Sequence, residues 1–422
     1  MNMFYSSYVN TARTQREFTL NYSAIFCIAL FVLNETTRKM IDPAISAVNI
    51  LFFVFGGIYV FKSVLNKRMS PTIFFIVVMF SLLVILNLTL VWSYPTRYTL
   101  FTFCNLLIPL LLVGIKIKYE QALEALKVFL RIFNFFIILL FLSGIIDVLT
   151  KSGIQLALAA TVFKGKELDL LIIKENLSGI YRFYSFAGHP LTNAKYFLIF
   201  YIMNKVYAEK VGYLMNRYLI TLMTMVGLVL CGSKTALVLF VILLIFYSDV
   251  KKHKFLYYIG IASLLLVIYN SDLFEDNLKQ RFVEGFTSGN ISSGRNDLLE
   301  LLVNSSSAEL PGFFYGGGAN SSREMALELG GGASNFEYPL IMLAYDYGIL
   351  GTLIIYICIF FYPIYVFWRN KDFYIMVNFI FLTLMINSNN SIANLSSDYM
   401  AQHCFLILLL INISSKNYMA DH

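Results

Sequence analysis

Long apolar runs separated by short polar breaks fill most of this chain, and the runs have the length of a bilayer crossing. A hydrocarbon core of roughly 30 Å needs about 20 apolar residues in a helix. The pattern predicts membrane-spanning helices at 18–34, 43–61, 72–92, 98–115, 126–149, 189–207, 213–231, 233–248, 255–271, 339–367, 373–392 and 399–413, twelve in all. The runs are continuously apolar rather than alternating, which excludes a transmembrane β-barrel. The segment 339–367 is long enough to tilt or break, and Tyr347-Gly348-Ile349-Leu350-Gly351 marks the expected break.

Two stretches depart from the pattern, 150–188 and 272–338. The second carries ten of the 24 glycines and 14 charged side chains, among them Arg281, Arg295, Asp297, Arg323, Glu324 and Glu337. Neither shows an extended apolar core pattern, so both read as loops capping a membrane domain, with short helices at 155–163 and 295–304. The chain thus divides into helices one to five (1–149), a first large loop (150–188), helices six to nine (189–271), a second large loop (272–338), and helices ten to twelve with the C-terminus (339–422).

Composition agrees with an all-α polytopic integral membrane protein. Apolar residues make up 58% of the chain and charged residues 14%, against about 45–50% and about 25% in an ordinary globular protein. The formal charge of +7 does not point to nucleic acid, because the basic residues are scattered through short loops and form no stripe on a soluble domain. The cysteines Cys27, Cys104, Cys231, Cys358 and Cys404 fall in or beside apolar segments, so neither a disulfide nor a thiolate metal site is expected. The polar and aromatic start of the chain predicts no cleavable signal peptide.

Charge also orients the chain, since short cytoplasmic loops retain Lys and Arg. With the N-terminus inside, the cytoplasmic loops hold Arg13, Arg16, Lys62, Lys67, Arg68, Lys116, Lys118, Lys127, Lys205, Lys210, Arg217, Lys251, Lys252, Lys254, Arg369, Lys371 and Lys416. The short outer loops hold Arg38, Lys39, Arg97 and Lys234. Both termini are then cytoplasmic, and both large loops lie outside.

The residue types narrow the chemistry. His189, His253, His403 and His422 are far apart and lack Cys or carboxylate partners at ligand spacing, so no metal is expected. No ATP-binding motif occurs, and no cofactor is called for. What remains is basic residues facing outward: Arg182 and His189 in Arg182-Phe183-Tyr184-Ser185-Phe186-Ala187-Gly188-His189-Pro190, Lys195 just inside the sixth helix, Lys234 in Gly232-Ser233-Lys234-Thr235, and Arg295 in Ser293-Gly294-Arg295. Arginine suits phosphate because its planar fork donates two parallel hydrogen bonds and stays charged. Each of these residues also has a plainer role open to it as a solvated or headgroup-contacting side chain, and His189 as a cap for the sixth helix. Arg131 reads as a snorkelling side chain. Asp346, a carboxylate within the tenth span, is either paired structurally or part of a site. The run Asn387-Ser388-Asn389-Asn390-Ser391 is too polar for lipid and suits sugar binding, with Asn389 at its centre. The glycine runs Gly316-Gly317-Gly318 and Gly330-Gly331-Gly332 let backbone approach a ligand closely, or are loop filler.

Taken together, Ser293-Gly294-Arg295, Pro311-Gly312 and Gly316-Gly317-Gly318 resemble the signature of the O-antigen polymerase and O-antigen ligase superfamily. The stretch 335–351 is similar to that family's entry into the following helix, Gly232-Ser233-Lys234-Thr235-Ala236-Leu237 to its S-R-T-A-L element, and Arg182 with His189-Pro190 to its R-x-x-G…H-P element. Lys234 stands where relatives usually carry Arg, and Glu337 where many, notably ligases, carry His; these departures favour polymerase over ligase.

The resemblance implies a GT-C-like membrane glycosyltransferase with two large periplasmic loops. Its reaction would move a growing polysaccharide from undecaprenyl pyrophosphate to a new lipid-linked repeat unit, in O-antigen (lipopolysaccharide) synthesis. The substrate partners implied are undecaprenyl-pyrophosphate-linked oligosaccharide and the lipid bilayer, with a flippase and chain-length regulator as protein partners. Arg295, Arg182 and Lys234 would form the pyrophosphate clamp, with Lys195, Asp346 and Asn389 as further substrate contacts. Glu337, or else Asp297 or His189, would take the acceptor's proton. A ligase remains the near alternative. A polysaccharide flippase or small-solute transporter fits less well, because such proteins pair short loops with charged residues inside pseudo-repeated helical halves.

Overall fold

The computed structural model describes residues 19–42, 48–90, 102–165, 167–247, 295–305, 310–329, 336–387, 392–394 and 397–414. Among them the secondary structure is helical, with no strand and two isolated bridges, Met69 to Ile115 and Ser185 to Gly188. In chain order the helices are α1 (Thr19–Val32), α2 (Glu35–Ile41), α3 (Ile50–Leu65), α4 (Pro71–Leu90), α5 (Phe103–Val113), α6 (Tyr119–Leu149), α7 (Gly153–Thr161), α8 (Glu167–Leu177), α9 (Pro190–Lys210), α10 (Arg217–Cys231), α11 (Lys234–Phe246), α12 (Arg295–Asn304), α13 (Ser321–Glu328), α14 (Pro339–Arg369), α15 (Phe373–Asn387) and α16 (Tyr399–Ser414).

Among the described residues α4, α6 and α14 are long and apolar enough to cross a membrane, and α1 with α2 makes a fourth if that bent pair is a single span. The apolar helices α3, α5, α10, α11, α15 and α16 run 10–17 residues, short of the about 20 that a crossing needs. α9, the expected sixth span, is buried on nearly every side and carries Asn193, Lys195 and Asn204 inside the protein. A helix buried on nearly every side by its own protein presents little surface to lipid. The expected span 255–271 lies outside the described residues.

The chain forms two compact units, 1–133 with 295–422, and 134–294. In the first, α1 and α2 meet at 78°. Asn34 makes that corner: its side-chain oxygen accepts from the amides of Thr36 and Thr37, and its Nδ2 donates to Phe31 O. Beyond it, buried Arg38 donates to Asp398 at 2.6 Å. Asn49 donates to the same carboxylate at 3.2 Å and to Ala29 O at 2.7 Å. Edge-to-face rings fill the space beneath, with Phe26 against Phe52, Tyr59 and Phe405.

In the second unit Gly227 brings α10 onto α9, since a Cβ there would stand 2.6 Å from the Phe197 ring. The stretch 150–188 holds the short helix expected at 155–163, as α7, and one helix more, α8. The two enclose a small core of Leu158, Ala159, Phe163, Ile172 and Tyr184. Leu168, Leu171 and Ile172 recur at the helical spacing that this packing requires. In the second large stretch the helix expected at 295–304 is α12, while α13 is additional.

Candidate functional site

The two units present two polar constellations, each built on one of the large hydrophilic stretches. In the second unit Arg182 is buried, at 7% exposure. Its NH1 donates to Glu175 on α8 at 2.9 Å, and Tyr184 donates to the other oxygen of the same carboxylate at 3.0 Å. Its Nε meets no acceptor among the described residues. Next to it Tyr181 donates to Asp147 at 2.9 Å, and burial with that neighbouring carboxylate pushes the Tyr181 hydroxyl well up.

The Arg182 segment is tied at both ends. The Phe183 amide donates to Leu230 O at 3.0 Å, and Asn193 Nδ2 donates to Phe183 O at 2.8 Å. Ser185 Oγ donates to Asn193 Oδ1 at 2.8 Å and accepts from the Ala187 amide. The first of these bonds seats the Arg182 segment on the last turn of α10, immediately before the corner that carries Lys234. Gly232 closes α10 in the left-handed conformation at φ 60°, and Ser233 opens α11 as its N-cap. That turn chemistry accounts for Gly232 and Ser233. It does not account for Lys234, a half-buried cation on a helix's first turn, where the dipole disfavours positive charge.

His189 and Lys195 take places that the sequence left open. His189 is the N-cap of α9: Nδ1 accepts from the Leu191 amide at 3.1 Å, and Pro190 follows at the first helical position. The ring packs edge-on against Tyr184. Lys195, expected at the outer face, is instead inside the protein at 1% exposure.

The first unit holds the other constellation. α14 breaks at Gly348, whose φ of 76° and ψ of 169° leave the helix. The segment 312–318 fills the break. Ile349 and Leu350 donate to the carbonyls of Gly312 and Phe313, while Gly317 and Gly318 donate to those of Tyr345 and Asp346. A broken helix inside a membrane protein requires such partners for its freed backbone groups. Asp346, at 2% exposure, accepts from the Ser322 amide at 2.9 Å, which fixes the start of α13, and Ser321 Oγ donates to Tyr345 O at 2.8 Å. Asp346 thus anchors the start of α13, and Gly316 makes its close approach to the protein's own helix. Glu337 is exposed at φ 54°, an uncommon conformation for a non-glycine residue, just ahead of α14.

Arg295 opens α12. Its side chain, the Asp297 side chain, Asn389, Ser293-Gly294 and Gly330-Gly331-Gly332 lie outside the described residues. The described residues contain no cluster of His, Cys, Asp and Glu able to hold a metal ion. Sequence reasoning missed Glu175 because the helix bearing it, α8, was read as loop; the Leu168, Leu171, Ile172 spacing is the signal that would have found it. No family model, curated protein or solved structure matches the chain.

Proposed function

We propose that the protein is a membrane glycosyltransferase that polymerises lipid-linked oligosaccharide repeat units at the outer face of a bacterial inner membrane. In this reading it crosses the membrane twelve times with both termini in the cytoplasm, and the stretches 150–188 and 272–338 are periplasmic. The bond from the growing chain's anomeric carbon to undecaprenyl pyrophosphate breaks, and that carbon joins a hydroxyl of the incoming unit. The hydroxyl proton passes to a carboxylate, assigned to Glu337, and undecaprenyl pyrophosphate leaves. The departing pyrophosphate needs positive charge, which a preorganised low-dielectric site supplies more effectively than water does. That charge is assigned, on the motifs that carry the resemblance, to Arg182, Lys234 and Arg295.

The observation that carries the reading is the hydrogen bond from the Phe183 amide to Leu230 O. It couples the Arg182 segment to the α10–α11 corner, so two of the segments that resemble polymerase motifs are one substructure despite their separation in sequence.

The test is chain extension by the purified protein in liposomes supplied with undecaprenyl-pyrophosphate-linked repeat units. Extension that is lost in Arg182→Ala and Arg295→Ala, with both variants inserting normally, is the expected result. A protein that lengthens nothing in this assay would overturn the reading. In cells, deletion should remove long chains and leave a single repeat unit attached; loss of even that unit would indicate a ligase or flippase instead.

A further inference from the structure

The segment 310–318 exposes four large apolar side chains in a stretch that sequence alone reads as hydrophilic loop. Leu310, Phe313, Phe314 and Tyr315 are 79%, 56%, 57% and 55% exposed. They are not on a loose tether, because the backbone around them is bonded at four points to residues 345–350 of α14. Where these rings sit thus depends on the depth of 345–350 along α14.

That depth can be counted from the other end of the helix. α14 closes with exposed Tyr365 and Trp368 and then Arg369, the aromatic and basic residues that sit at a membrane–water boundary. A hydrocarbon thickness of roughly 30 Å corresponds to about 20 helical residues. Counting back about 20 residues from Tyr365 and Trp368 reaches 345–348, the turn that the loop grips. Beyond it Ile349 and Leu353 expose apolar side chains, 45% and 53%, on the same helix.

We propose that the segment 311–318 is a shallow re-entrant loop, seated at the edge of the hydrocarbon, with Phe313, Phe314 and Tyr315 against lipid chains. Irregular backbone survives at such a depth where protein satisfies its polar groups, and the break at Gly348 provides that satisfaction. The occupant is bilayer lipid rather than a protein partner, since the rings lie beside a membrane-crossing helix whose neighbouring exposed side chains are also apolar. This inference rests on α14 crossing a membrane and is independent of the transferase reading.

The test uses the full chain in phosphatidylethanolamine–phosphatidylglycerol vesicles, spin-labelled at Phe314→Cys. Collision with oxygen, which concentrates in lipid, is compared with collision with a water-soluble nickel chelate. The native cysteines are buried, so the unsubstituted chain provides the labelling blank, and Glu328→Cys, at an exposed position of α13, provides an aqueous reference. Oxygen collisions should exceed nickel collisions several-fold at position 314, with the reverse at 328. Nickel exceeding oxygen at 314 would overturn the proposal in favour of a water-exposed loop. Low collision with both would overturn it in favour of a protein cover, including a second copy of this chain. If Phe314→Cys does not fold, Phe313→Cys and Tyr315→Cys are read by the same criterion.

Discussion

A Cβ on Gly316 would stand 2.4 Å from the carbonyl oxygen of Tyr345, and nearly as close to the backbone of Asp346. No side chain can move aside there, because the obstacle is helix backbone. The Gly316-Gly317-Gly318 run is thus a docking surface cut to fit a break in α14. Gly348 completes the fit from the other side, with a left-handed φ and the Tyr315 backbone about 3 Å from where its Cβ would be.

Gly316→Ala should accordingly destabilise the first unit by about 1–3 kcal/mol, as overpacking typically does. The unfolding midpoint in detergent reports the change. Gly57→Ala is the control: that helical glycine has no atom within 4 Å of its would-be Cβ, and alanine there should stabilise by up to about 1 kcal/mol. Equal midpoints for the two variants would remove the docking argument.

Asp346 separates a structural role from a catalytic one. Asp346→Ala leaves the Ser322 amide at the start of α13 without its acceptor and should cost about 1–2 kcal/mol, the usual effect of deleting a helix cap. Asp346→Asn keeps a side-chain oxygen for that amide, so both stability and chain extension should stay near those of the parent. If the Asn variant kept its stability but lost chain extension, the carboxylate would be touching substrate and the anchor reading would be wrong.

The apolar pattern made most helices legible, including the break at Gly348, because burial in lipid or protein demands continuous hydrophobicity whatever the tertiary fold. The sequence also placed α12 correctly. What it could not supply was the partner of a charge. Glu175 is in a stretch read as loop, and only the packing of α8 against α7 brings it to Arg182. The same holds for Asp346, whose partner α13 is short and reads as polar filler until its position over the α14 break is known. Local signals such as His189-Pro190 and Gly232-Ser233 were visible, yet they mark helix starts and stops as readily as they mark a site.

The Arg182–Glu175 pair distinguishes charge used for stability from charge used for chemistry. Glu175→Ala leaves a buried guanidinium without its counter-ion and should destabilise the second unit by about 3 kcal/mol. The double variant Arg182→Leu with Glu175→Leu removes both charges and should recover most of that stability. If Arg182 serves the proposed transfer, chain extension should be lost in the double variant, since its positive charge is gone. Recovery of extension together with stability would make Arg182 purely structural.

The Arg38–Asp398 pair makes the opposite case, a charge pair with no proposed part in the chemistry. Its side chains are 7% and 3% exposed, and Asn49 adds a further bond to Asp398. Asp398→Ala should therefore cost about 3–5 kcal/mol, because it strands a buried guanidinium at the α1–α2 corner. Arg38→Met combined with Asp398→Leu should unfold near the parent midpoint. Burial also shields the pair from salt: at about 1 M ionic strength the Debye length is roughly 3 Å, yet screening acts chiefly on exposed charges. The stability gap between parent and Asp398→Ala should consequently be the same at about 0.1 M and about 1 M NaCl. A gap that closes at high salt would mean that water reaches the pair and that the corner is held by the Asn34 cap alone.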